Sequence, residues 1–119
     1  MAGTGTVTCA RDGCTVVVLR GELDVCNAAG TVRMLTAHAA SGTRIVIDLA
    51  ELTFIDCASL RRVLSVRAQA RQAGGDLALA DPQPIVLRLL VLTGMISRYP
   101  VFASVHDAVK GGPAALLVS

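Results

Sequence analysis

The run Ile45–Leu64, IVIDLAELTFIDCASLRRVL, constrains the fold more than any other part of the chain. Arg44–Leu49 is rich in β-branched and aliphatic residues and lacks the polar alternation of a half-solvated strand. That pattern predicts a strand buried on both faces, as in a parallel sheet covered by helices. Ala50–Ile55 is read as a connecting loop anchored by Leu52, Phe54 and Ile55. A helix then starts near Asp56 and turns Leu60, Val63 and Leu64 inward, because three- and four-residue spacing places them on one face.

The other segments fit the same architecture. Thr6–Ala10 reads as a strand, Arg11-Asp12-Gly13 as a hairpin turn, and Cys14–Arg20 as a central strand pairing back on the first. Gly21-Glu22-Leu23-Asp24 breaks the pattern. A first helix is expected from about Asp24, capped by that carboxylate, with Val25, Ala28, Val32, Leu35 and Ala39 facing the sheet. Gly74-Gly75 ends the second helix and Asp76–Ala80 forms a strand. Asp81-Pro82 opens a third helix over Ile85–Leu92. Tyr99–Phe102 reads as a short edge strand, and Ser104–Lys110 as a last helix capped by Ser104. The order β-β-α-β-α-β-α-(β)-α predicts one α/β domain over residues 1–110: a mixed sheet of four to five strands with about four helices. The tail from 111 to 119 is left unplaced.

Bulk properties narrow the function. A chain of 119 residues suffices for one core. With 53% apolar but only 3% aromatic residues, that core must be made of Val, Leu, Ile and Ala. A formal net charge of +2 does not point to nucleic acid. No apolar run reaches the ~20 residues of a membrane span, and the first residues do not resemble a secretory signal, so a cytoplasmic protein is expected. The four cysteines, Cys9, Cys14, Cys26 and Cys57, form no CxxC pair and are expected as free thiols. His38 and His106 have no partner ligands at zinc spacing, so neither metal nor cofactor is expected. Nor is a hydrolytic constellation or phosphate loop present, which argues against an enzyme. If the second and third strands are parallel, the turns after them leave the same sheet edge, the usual functional edge of an open α/β sheet. Asp24, Cys26, Asp56 and Cys57 then share one rim.

Four pieces in order, GELDV (Gly21–Val25), IVIDLAELTFID (Ile45–Asp56), CASLRRVL (Cys57–Leu64) and LTGM (Leu92–Met95), resemble the STAS domain of anti-sigma factor antagonists. The resemblance implies a partner-switching regulator. Its partner is an anti-sigma factor that is also a serine kinase, and phosphorylation of the hydroxyl residue directly after the aspartate ends the binding. It also implies a partner surface made by Asp24, Asp56, Cys57, Ala58 and Ser59, extended by Arg61 and Arg62 on the helix that begins there. A monomer or weak dimer is expected. The alternative within the same family is an accessory subunit that binds the ATPase of a membrane transport complex.

This chain departs from the family at the switch. The usual Asp-Ser-Ser/Thr-Gly-Leu is here Asp56-Cys57-Ala58-Ser59-Leu60, so the phosphoacceptor position is Cys57. Three readings follow from the residues. Cys57 is a silent replacement and the protein binds unmodified; or Ser59 serves as acceptor; or Cys57 is redox active, alone or with Cys26, since a helix start favours the thiolate while Asp56 opposes it.

Overall fold

The computed structural model describes residues 5–11 and 13–111, with side chains from Gly13 onward. The elements are β1 (Gly5–Arg11), β2 (Cys14–Leu23), α1 (Ala28–Ala39), β3 (Arg44–Ile55), α2 (Cys57–Gln72), β4 (Asp76–Ala80), α3 (Pro84–Leu92), a 3-10 turn (Met95–Ser97), β5 (Val101–Phe102) and α4 (Val105–Lys110). The five strands lie in the sheet in their chain order. β1 is antiparallel to β2, and the other neighbours are parallel. The expected α/β domain with a mixed sheet is therefore correct. Asp12 of the predicted hairpin and residues 112–119 of the tail lie outside the described residues, and so does the side chain of Cys9.

Strands that follow one another in sequence and run parallel, joined by crossovers of one hand, send their helices to one face. The core has that form. Ala28, Leu35 and Ala39 of α1, Leu60, Val63 and Leu64 of α2, and Val86 and Leu90 of α3 pack on one side of the sheet, against Val17, Leu19, Ile45, Ile47, Leu77 and Leu79. The alternate residues Val16, Val46, Ala78 and Ala80 face the other way and meet Phe102, Ala108 and Val109. Both faces of β3 are covered over its first half. That is why its sequence shows no polar alternation. Ser104 caps α4 as expected, its Oγ accepting from the Asp107 amide at 3.0 Å.

Three expectations about the elements fail, all at the edge where the loops emerge. β2 continues to Leu23 instead of stopping at Arg20, and β3 continues to Ile55 instead of looping from Ala50. Each extension supplies the other's hydrogen bonds. The register reaches Gly21↔Leu52, Glu22↔Phe54 and Leu23↔Ile55 across two irregularities. Gly21 makes this possible with φ of 73°, a left-handed conformation that glycine adopts without steric cost and that bulges exploit. In sequence, that glycine looks like a strand end. α1 begins at Ala28, not Asp24, so Val25 lies in the preceding turn and is 67% exposed instead of facing the core. α3, by contrast, spans Pro84–Leu92, within one residue of the expected Ile85–Leu92, with Gln83 at its N-cap position.

The opposite edge is held by close backbone approach. A Cβ on Gly75 would lie 2.3 Å from the Thr43 carbonyl oxygen. Gly30, inside α1, would meet only the mobile end of Arg33 at 3.8 Å. Gly75→Ala is therefore expected to destabilise the domain by about 1–3 kcal/mol, as overpacking against backbone does. Gly30→Ala should stabilise it by about 0.5–1 kcal/mol, by removing unfolded-state entropy from a helix interior. Denaturant unfolding of both variants checks the opposite signs.

Candidate partner-binding site

Parallel pairing of the tips of β2 and β3 places two loop–helix junctions side by side. The backbone bond from the Asp56 amide to the Leu23 carbonyl, at 3.3 Å, ties one junction to the other. Asp24 and Asp56, each one residue past its strand, therefore occupy one rim with Cys26 and Cys57, as the sequence predicted.

The first junction is a self-closed turn. The Asp24 carbonyl accepts from the amides of Asn27 (3.1 Å) and Ala28 (2.8 Å). Its carboxylate Oδ1 accepts from the Cys26 amide at 2.9 Å. Asn27 answers with Oδ1 on the Asp24 amide and Nδ2 on the Glu22 carbonyl, both at 2.9 Å. Asp24 is thus not the cap of α1, because its carboxylate is used within the turn. Asn27 holds the N-cap position and spends its side chain on the same turn. The sequence reading passed over Asn27, although an asparagine directly before a helical run is a cap signal.

At the second junction, Asp56 does cap its helix. Its backbone is extended, and its Oδ1 accepts from the Ser59 amide at 2.7 Å. This contact satisfies one of the unpaired amides of α2 and places negative charge at the positive end of the helix. The Asp56 carboxyl is held below its ordinary value. The neighbouring Ser59 hydroxyl is the largest cause and the Ser59 amide the next; partial burial opposes them, and the Val25 amide from the first junction adds to the lowering. The amide bond is the well-formed contact of the two, because Ser59 Oγ has no partner of good hydrogen-bond geometry.

The remaining expected site residues divide. Cys57, the first residue of α2, is a half-buried free thiol, and Cys26 is an exposed free thiol. Ala58, Arg61 and Arg62 are exposed. Ser59 is not on the surface: its relative exposure is 0%, because it sits on the inner side of the first turn. Its side chain offers nothing to a partner. Arg67, farther along α2, is a brace. It donates to Asp76 at 2.7 Å and to the Arg98 carbonyl at 3.1 Å, and lies over the Tyr99 ring. Among the described residues, no three His, Cys, Asp or Glu side chains converge as metal ligands, and no helix is long and apolar enough to cross a membrane.

The sequence also missed an apolar groove beside the rim. Phe54, Ile85, Leu89 and Leu92 line it, with Ile55 and Val86 at its base and Arg88 at its side. The visible signal was an α3 with apolar residues on more than one face; Ile85 and Leu92 are 56% and 73% exposed.

The mixed-sheet α/β domain thus carries two tied loop–helix junctions and an apolar groove on one edge. Residues 7–108 match the family model of the STAS domain, and the chain belongs to the STAS-domain family of anti-sigma factor antagonists. It is 35% identical over 106 residues to BtrV of Bordetella bronchiseptica, which carries the name of an anti-sigma factor antagonist; the match covers 88% of this chain and 91% of BtrV. It is 33% identical to the anti-sigma F factor antagonist of Paenibacillus polymyxa, over 76% of this chain and 79% of that one. In fold it is similar to an anti-sigma factor antagonist from Mycobacterium paratuberculosis, with a TM-score of 0.80 and 23% identity over 92% of this chain and 97% of that one. The unphosphorylated form of SpoIIAA superposes with a TM-score of 0.73 at 18% identity, over 89% and 93% of the two chains.

The Asp56 cap generates a pH prediction. A carboxyl whose pKa is lower in the folded than in the unfolded state adds stability above its unfolded value and loses it as pH falls through the folded one. Asp56→Asn keeps a capping oxygen but removes the charge. Wild type should therefore melt higher than Asp56→Asn at neutral pH. The gap should close as pH falls below the ordinary aspartate value of 3.8. Thermal unfolding from neutral pH to about pH 2.5 checks this; a gap independent of pH would contradict it.

Proposed function

We propose that this protein relieves a sigma factor from inhibition by binding its anti-sigma factor, a serine-kinase-type protein of the cytoplasm, and that it does so unmodified at the position of the usual switch. One observation carries the reading. The capped start of α2 stands on an open rim beside the Asp24 turn, in a chain of the antagonist family, yet its first residue is Cys57. Asp24, Asp56, Cys57 and Ala58 form the contact, with Arg61 and Arg62 on the following turn. Ser59 contributes from inside, by presenting its amide to Asp56.

Physical reasons support an unmodified antagonist. A serine kinase transfers phosphate to a hydroxyl, and the residue after Asp56 has none. Ser59 is a poor substitute, because its buried hydroxyl would reach a kinase only if the first turn of α2 opened. The protein acts by binding alone, without chemistry of its own. The exposed arginines favour an acidic partner surface and a faster encounter.

The test uses the serine-kinase anti-sigma factors of the source organism with ATP. Wild type should bind one of them and stay unphosphorylated by mass spectrometry. Cys57→Ser should gain one phosphate, and its binding should then fall by at least about tenfold, because the phosphate brings roughly −1.5 to −2 charge to the interface. Phosphate on wild type at Ser59 would refute the unmodified reading. Failure of wild type to bind any of these kinases would refute the function.

A further inference from the structure

We infer that the groove between the tip of β3 and α3 receives an apolar, carboxylate-bearing segment of the anti-sigma factor. This inference rests on the functional reading above and extends the contact beyond the Cys57 rim. The groove is continuous with that rim, since Phe54 and Ile55 immediately precede Asp56. It is also preformed. The side-chain amide of Gln83, at the start of α3, donates to the Ala50 carbonyl of β3 at 2.7 Å and fixes the helix against the strand.

Size and chemistry decide what fits. The groove holds about 230 Å³. That is below the ~300–1,000 Å³ of typical small-molecule sites and suits one or two inserted side chains. Ile85 and Leu92 stand more than half exposed along it, and Phe54 is 43% exposed. Such a patch on a small domain marks a contact surface. Among the described residues, its charged lining is the guanidinium of Arg88 alone.

Charge separates a foreign partner from a second copy of this chain. α1, α2, α3 and the 3-10 turn contain no aspartate or glutamate, while α2 carries four arginines and α3 carries Arg88. A two-fold contact through this groove would bring Arg88 of both copies into one interface, and among the described residues that line the groove no aspartate or glutamate offsets the repulsion. A partner segment with leucine-like side chains for the groove and a carboxylate for Arg88 meets both requirements. Apolar anchors beside arginine are the usual energetic centres of such interfaces.

The experiment measures binding of the anti-sigma factor that wild type recognises, by surface plasmon resonance at low and high salt. Ile85→Ser and Leu92→Ser should each weaken binding about tenfold, mainly through faster dissociation. Arg88→Glu should weaken it by a similar factor, with slower association and a flatter salt dependence. Melting temperatures near wild type confirm that these surface variants fold. If all three bind like wild type while Asp24→Ala or Cys57→Arg loses binding, the groove inference fails and the function stands. If wild type binds no anti-sigma factor, the functional reading fails first. A dimer of the free chain in sedimentation that Leu92→Ser dissociates overturns the choice of partner.

Discussion

The pairing of β2 with β3 beyond the covered part of the sheet is the constraint on which the rest of this molecule depends. A parallel pair that ended at Arg20 and Leu49 would release two long, independent loops. Here the strands continue to Leu23 and Ile55, and the Asp56 amide bonds to the Leu23 carbonyl. The extension requires Gly21, whose left-handed backbone absorbs a register irregularity without breaking the ladder. The two junctions are therefore tied to each other and to the sheet. Protein contacts made by preorganised elements avoid the ordering cost that a flexible loop would carry into the complex.

On that platform, the two aspartates have different roles despite their similar positions. Asp24 is consumed locally by the turn that closes on Asn27. Asp56 faces the start of a 16-residue helix, and its charge is favoured by the unpaired amides there. The consequence is a persistent negative charge next to Cys57. Behind α2, the Arg67–Asp76 pair fixes the helix to β4 and to the segment carrying Arg98. Asp76 is held below its ordinary value although burial pushes it up, because the Arg67 guanidinium and the Leu77 amide outweigh that effect. The arginines left exposed toward the rim are Arg61 and Arg62.

The fold was legible in the sequence wherever burial on two faces left its mark. Arg44–Leu49 and Asp76–Ala80 were readable as short apolar runs preceded by glycine-containing turns, and the helix from Cys57 by its three- and four-residue apolar spacing. The tips of β2 and β3 were not, since their hydrogen bonds come from each other across 30 residues of sequence and Gly21 imitates a terminator. The α1 start was misread for a related reason: Asp24 and Asn27 are both good cap residues, and only the turn geometry decides which stands next to the helix. The site was legible in its backbone positions, Asp24 beside Asp56. It was not legible in side-chain direction, because whether Ser59 points in or out depends on the phase of a helix whose first residue had to be known. The groove escaped because an exposed apolar residue and a core residue look the same in sequence.

The exchange at the start of α2 has a consistent physical logic. The first turn of a helix offers few unpaired amides, and Asp56 already occupies the one at Ser59. A phosphate on a residue at position 57 would have to share the remaining amides with the ionised carboxylate of Asp56 beside it. Such a site stores electrostatic tension that a partner surface would feel strongly. With a thiol at that position, a serine kinase has no hydroxyl on which to place that charge. Placing the hydroxyl two residues later, at Ser59, does not restore the switch, because a side chain of zero exposure lies beneath the contact surface. In the function proposed above, the fold keeps the capped start of α2 at the binding edge while the residue directly after Asp56 carries no hydroxyl.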